Sequence, residues 1–428
     1  MMIRERRLKM EALQLPKYTI GVGDRFALQG KAQLRACALA LESGIEIIPV
    51  WNKSNREHLI VGSEPSETRR AADSAVTEMA WPRAYFLDAD HIGIQTLDRF
   101  IGPCDFFTID VAHKIGSGAV ASDIRQFTER HPELSAETML KPLGLRFKAS
   151  RDNLEHVARK YLAAVQEAGK IYRYIADRKG AGKFVPEISM DETDSPQTPL
   201  ELLIILAAIA DEKIPIQTVA PKFTGRFNKG VDYRGDVEGF TREFTADLAV
   251  VAHAVRNYNL PANLKLSVHS GSDKFSLYRP IHRAITDAGT GIHLKTAGTT
   301  WLAELAGLAL AGGEGLEIAR DICLQAYEHI DELCAPYASV IEINRGKLPS
   351  AEAVKRWSSQ EYFAALNHDL SCGAYNSDLR QLLHVSFKIA AKMGERFTGA
   401  VKENVELIAR GVTENLFERH IRPVFFPD

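Results

Sequence analysis

Three apolar runs of this chain carry acids, imidazoles and amines at every second position, the spacing that puts them on one face of a β-strand. In FVPEISMD (184–191) that face holds Glu187, Ser189 and Asp191, opposite Ile188 and Met190. In LKLSVHSGSD (264–273) it holds Lys265, Ser267 and His269, and in GIHLKTAG (291–298) it holds His293 and Lys295. A carboxylate and two imidazoles from separate strands suit a divalent transition metal: zinc, nickel, cobalt, manganese or iron. The candidate ligands are Glu187, His269 and His293. The alternative is that each histidine only hydrogen-bonds within a polar interior.

Other strand ends add chemistry. FFTIDVAH (106–113) offers Asp110 on an apolar strand, where a carboxylate needs a buried partner, and His113 with Lys114 at the end. AYFLDADH (84–91) offers Asp88, Asp90 and His91 as acid–base groups, further ligands, hydroxyl acceptors or members of loop salt bridges. Lys222 and Lys295 at strand ends could hold a carboxylate, stabilise an enolate or form a Schiff base; an ion pair with Glu187 or Asp191 is the plainer role. The glycine-rich loop PKFTGRFNKGVDYRG (221–235) brings Arg226, Lys229 and Arg234, suited to an anionic substrate or simply solvated. HSGSDKF (269–275), with Asp273, has the composition of a polyol-binding rim.

The elements that must position these groups are strand-like runs at 18–25, 45–52, 84–91, 106–113, 184–191, 215–222, 264–273 and 291–298, separated by segments of helical pattern. Strands alternating with helices make a parallel α/β sheet, and this number closes a barrel whose reacting groups stand at the carboxyl ends of the strands. The expected fold is a (β/α)8 TIM-like barrel over residues 1–298 with a helical insertion around 115–183. A long helical C-terminal extension over 299–428 packs on the barrel, covers its mouth or forms a homo-oligomer contact. Thr198, Pro199 and Glu201 spell a capping box for an almost wholly apolar helix over 200–210. Gly21-x-Gly23 lacks the third glycine and the ribose-binding acid of a dinucleotide loop, and Gly116-Ser-Gly118 lacks the Gly-Lys-Ser/Thr of a P-loop.

With 428 residues, 45% hydrophobic and 25% charged, the chain can bury a large core. Lys and Arg total 53 against 55 Asp and Glu, a formal charge of -2 that offers no footprint for nucleic acid or lipid headgroups. Five cysteines without a C-x-x-C pair point to a reducing compartment. The basic amino terminus has no continuous apolar core, and no run reaches about 18 apolar residues, so a cytoplasmic location without a membrane span is expected.

The run EISMDETDSPQTPLELLIILAAIADEKIPIQTVAPKFTGRFNKGVDYRGDVEGF (187–240), with LSVHSGSDKFSLY and IHLKTAGTTWLAEL, resembles the tagaturonate epimerase family, most specifically between Asp110 and Leu305. The resemblance implies a bacterial or archaeal enzyme of hexuronate catabolism that interconverts D-tagaturonate and D-fructuronate. It also implies a divalent metal and, in some members, action on tagatose and fructose. The carbon that inverts in such a reaction is β to the ketone, so the carbonyl does not acidify its C–H bond. Retro-aldol cleavage with re-addition, or transient oxidation by a nicotinamide, remain; without a dinucleotide loop the first is favoured. A metal at Glu187, His269 and His293 would act as Lewis acid, and Asp110, Asp191 or His113 would shuttle the hydroxyl proton. Lys222, Lys295, Asp273 and Arg226 would bind the small ketose or ketohexuronate. The rivals are a metal- or Schiff-base-dependent ketose aldolase and a non-catalytic sugar-binding barrel.

Overall fold

Each of the eight expected runs overlaps a strand. A computed structural model describes residues 12–140, 145–147, 149–296 and 298–427; the basic segment 1–11 lies outside the described residues. The strands are β1 (Tyr18–Gly23), β2 (Ile48–Ser54), β3 (Phe86–Ile92) and β4 (Phe106–Asp110), then the hairpin β5 (Thr138–Leu140) and β6 (Leu145–Phe147), then β7 (Val185–Ser189), β8 (Thr218–Ala220), β9 (Lys265–His269) and β10 (Ile292–Lys295). All but the hairpin are parallel and close into a barrel in chain order, β10 pairing with β1. Leu266, Val268, Ile188 and Leu294 face the surrounding helices and are buried there.

Several strands end earlier than the expected runs, whereas β2 and β3 run past theirs. β4 stops at Asp110 because its carboxylate Oδ1 accepts from Ala112 N at 2.9 Å, turning the chain into a 3-10 turn over Ala112–Lys114. β9 stops at His269 because Gly271 follows with φ +67°, a left-handed conformation glycine adopts without cost. The helix Pro199–Asp211 starts as its capping box requires: Thr198 accepts from Glu201 N, and the Glu201 side chain reaches back to Thr198 N. The insertion between β4 and β7 is dominated by the helix Arg151–Lys179, 29 residues long, capped by Ser150. No helix among the described residues is long and apolar enough to cross a membrane.

From Thr299 onward the chain is helical and builds a second core around Trp301, Leu305, Ile322, Tyr362, Leu383 and Phe397. Trp301 anchors it, donating from Nε1 to Leu383 O at 2.8 Å. The last turns return to the barrel: Phe417, Ile421, Val424 and Phe425 join its core, with Phe425 5.3 Å from the Tyr18 ring.

Asp273, expected at the substrate, instead ties the two cores together. Its carboxylate is fully buried and takes Arg380 at 2.7 Å, His368 at 2.9 Å, His420 at 3.2 Å and Thr299 Oγ1 at 3.0 Å. Burial opposes its charge, but Arg380 and the imidazoles outweigh that and hold it well below the usual carboxylate range. With every acceptor position met by protein donors, it faces the helical extension and not the barrel mouth.

Candidate active site

The barrel interior is polar where branched apolar residues usually fill it. Lys295 explains how that is sustained. Its Nζ lies 2.9 Å from Asp88, 2.8 Å from Asp90 and 3.3 Å from Glu187, and donates to Thr108 Oγ1 at 2.7 Å. Burial opposes its charge, but the three carboxylates raise its pKa well above the ordinary lysine value. In return Lys295 is the strongest influence holding Asp90 and Glu187 ionised against burial, whereas burial wins at Asp88 and pushes its pKa up to about 6.

Gly21 makes this crossing possible. A Cβ there would lie 2.6 Å from Lys295 Cγ and 3.2 Å from its Cα, so the first glycine of the pair read above serves close approach. Gly21→Ala is expected to cost about 1–3 kcal/mol through overpacking, seen as a lower urea midpoint.

Above this cluster two imidazoles meet one acid. His269 Nδ1 lies 3.0 Å from Asp191 Oδ2, and His91 Nε2 lies 3.3 Å from Asp191 Oδ1. The far nitrogens are held by other acids: His269 Nε2 is 2.9 Å from Glu187 Oε1, and His91 Nδ1 is 2.8 Å from Asp90 Oδ1. The rings sit edge to face with centroids 5.1 Å apart. Burial opposes protonation of both, yet Asp90 and Asp191 raise His91 well above the usual histidine value and Asp191 raises His269. Asp191 in turn is held well below its usual range against burial by His269 and then His91.

His91 reaches this position through a backbone irregularity. The pairing of β3 with β4 shifts register between Ala89 and Ile92, and His91 has φ +51°. A bulge of this kind re-aims a side chain beside an active site, and a left-handed non-glycine residue costs about 1–3 kcal/mol. Strict alternation would turn His91 outward alongside Ala89.

The remaining expected residues fall at different depths. His293 is level with Ser267 and Thr19, two positions deeper on β10 than Lys295. Its Nδ1 pairs with Thr19 Oγ1 at 2.8 Å, and burial above all lowers its pKa to about 3. Its Nε2 is buried without a hydrogen-bond partner, and its ring tilts on Phe106 at 5.3 Å. Asp110 is half-buried at the rim, its pKa raised by burial and pulled back by His91. His113 stands exposed on the turn that follows β4. Lys222 is half-buried and donates to Thr193 O. Arg226 is half exposed and pairs with Glu342 at 3.4 Å, so it meets the helical extension. Thr108, whose hydroxyl reaches both Asp88 and Glu187 at 3.0 Å, carried no signal in the sequence beyond its inward position.

One ligand atom each from His91, Asp191 and His269 lies within 4.8 Å of the others. The donor set, two imidazoles and a carboxylate, suits a divalent transition metal. The outer carboxylates Asp90 and Glu187 occupy the far ring nitrogens, the arrangement that orients metal-ligating histidines. The residues present therefore fit such an ion at Asp191, with His91 and Asp191 where the sequence suggested His293 and Glu187.

A family model described as tagaturonate epimerase matches residues 6–419. The tagaturonate/fructuronate epimerase of Thermotoga maritima is 26% identical over 425 residues, covering 94% of this chain and 80% of that one. A glycerol-complexed crystal structure of the fructuronate-tagaturonate epimerase of Cohnella laeviribosi superposes with a TM-score of 0.81 at 24% identity, covering 97% of this chain and 82% of that one. The native crystal form of the same protein gives 0.78 at 24% identity, covering 97% and 82%. These likenesses in fold accord with the eight-stranded barrel and its helical extension. With the family model spanning nearly the whole sequence, the chain belongs to the tagaturonate epimerase family and is an isomerase.

Proposed function

We propose that this enzyme interconverts D-tagaturonate and D-fructuronate by retro-aldol cleavage and re-addition, with a divalent transition metal (zinc, nickel, cobalt or manganese) held by His91, Asp191 and His269. The neutral ketoses tagatose and fructose present the same reacting carbons and are proposed as secondary substrates. The observation that carries this reading is the meeting of two acid-anchored imidazoles on one shared carboxylate. The metal, when bound there, supplies Lewis-acid stabilisation of the negative charge that develops on oxygen.

The protein side chains do the rest. Asp110, with Oδ1 occupied by Ala112 N and its pKa raised, takes the proton from the β-hydroxyl as that carbon becomes an aldehyde. The α–β bond breaks, and its electron pair is delocalised into the ketone. The aldehyde turns, the bond re-forms on its other face, and Asp110 returns the proton. Lys295 is a positioning residue: it fixes Asp90 and Glu187, which fix His91 and His269.

A Schiff-base aldolase would need an uncharged lysine at the centre. Three carboxylates favour the charged form of Lys295, and Lys222 meets a carbonyl at the rim. Two measurements test the reading on substrate deuterated at the inverting carbon. The label should stay in the epimeric product without a primary isotope effect, and borohydride should trap no lysine. Wash-out or a primary effect would overturn the cleavage route, and a trapped lysine would put a Schiff base in place of the metal.

A further inference from the structure

We propose that Arg25, Lys229 and His384, gathered where the helical extension roofs the β9, β10 and β1 side of the barrel mouth, form the subsite that takes the carboxylate of a sugar acid. The identity of that acid as a ketohexuronate rests on the function proposed above.

The three come from distant parts of the chain. Arg25 follows β1, Lys229 lies on the loop after β8, and His384 is on the helix Ser377–Val385. Gly298, just past β10, is where His384 and Lys229 approach, and Arg25 stacks on Phe387, three residues after His384, 4.4 Å from the ring. A Cβ there would meet His384 Nε2 at 1.9 Å and Gly271 O at 2.6 Å, and Lys229 Nζ lies 3.2 Å from a Cβ built on Gly271. Gly298 N donates to Gly271 O at 2.8 Å, and Gly271 N to Lys295 O at 3.3 Å, so this corner is joined to the strand that carries Lys295.

Several polar atoms here make no hydrogen bond to the protein. His384 is 3% exposed, and neither ring nitrogen makes a hydrogen bond. Arg25 is 7% exposed; Glu57 lies 3.2 Å from its Nε, yet Nε and Nη1 make no hydrogen bond. Lys229 is half-buried and pairs with no carboxylate among the described residues. Buried donors left unpaired are costly, and native structures satisfy them with ligand or water. The neighbouring cations are already engaged: Arg380 with Asp273, Lys274 with the carbonyls of Asn228 and Val231. Burial and then Arg25, Lys229, Arg380 and Lys274 hold His384 neutral, well below the usual histidine value. A neutral imidazole beside Lys229, which has no carboxylate partner among the described residues, and Arg25, which is paired with Glu57 alone, donates one N–H to an anion without adding to their repulsion. A carboxylate offers matching acceptors, and a guanidinium with a free edge is the side chain best shaped to take it.

The site adjoins β10, and Lys295 on that strand reaches Asp90, the carboxylate that holds His91. A sugar acid would thus lie across the mouth with its charge under the helical roof.

Kinetics on D-tagaturonate and calorimetry with galactonate, an unreactive sugar acid, and galactitol, its neutral counterpart, test this. Lys229→Met should raise KM about 10- to 100-fold while kcat stays within a few-fold, and should weaken galactonate binding equally without changing galactitol binding. Lys229→Arg should restore most of the loss, and Arg25→Gln should act in the same direction. Unchanged KM and galactonate affinity in Lys229→Met, or wild-type binding of galactitol as tight as galactonate, would overturn the subsite. If wild type fails to turn over tagaturonate, the proposed function falls, and the galactonate comparison still decides the subsite.

Discussion

His269→Ala is expected to lose its divalent ion and about a thousandfold in kcat/KM, which corresponds to about 4 kcal/mol of transition-state stabilisation. The imidazole is one of three groups converging on the proposed metal position, and its removal leaves Asp191 facing His91 alone. Glu187→Gln should do less, about 10- to 100-fold in metal affinity or rate, because Glu187 acts through His269 Nε2 at 2.9 Å. Metal content by elemental analysis and steady-state rates with added nickel, cobalt, manganese or zinc give both numbers. If His269→Ala keeps its ion and its rate, the site is elsewhere.

The largest loss of stability is expected from Lys295→Met, about 3–5 kcal/mol, because it strands Asp88, Asp90 and Glu187 around an ammonium that is gone. Adding Asp88→Asn should recover part of the loss. Asp88 is the acid of the three that burial already pushes up to about 6, and its neutral substitute keeps a partner for Thr108. Lys222→Met, at a half-exposed rim position, is the control and should shift the urea midpoint little. A Lys295→Met protein as stable as wild type would show that the three acids are neutral without it.

The barrel was readable because each strand pairs an apolar outward face with a polar end, and the capping box at Thr198 marked the start of its helix. Alternation also brought out Glu187, Asp191, His269 and Lys295, since period two says which side chains point inward. It failed at His91, where the register shift in β3 turns an outward position inward. His293 shares the inward face with Lys295 but lies a layer deeper, and depth depends on strand stagger, which no local pattern records. Beyond the strand ends direction is lost altogether. Asp273 and Arg226 turn to the helical extension, and His113 turns to solvent. The same limit hid His384, which helices far along the chain bring over Gly298.

The most direct test of the metal site compares ion stoichiometry in wild type, His91→Ala and His293→Ala by equilibrium dialysis with nickel or zinc. His91 and His293 lie on different strands and at different depths, so the two variants separate the converging set from the deeper one. One ion per chain in wild type and in His293→Ala, with none retained by His91→Ala, is the predicted result. Retention in His91→Ala together with loss in His293→Ala would contradict it.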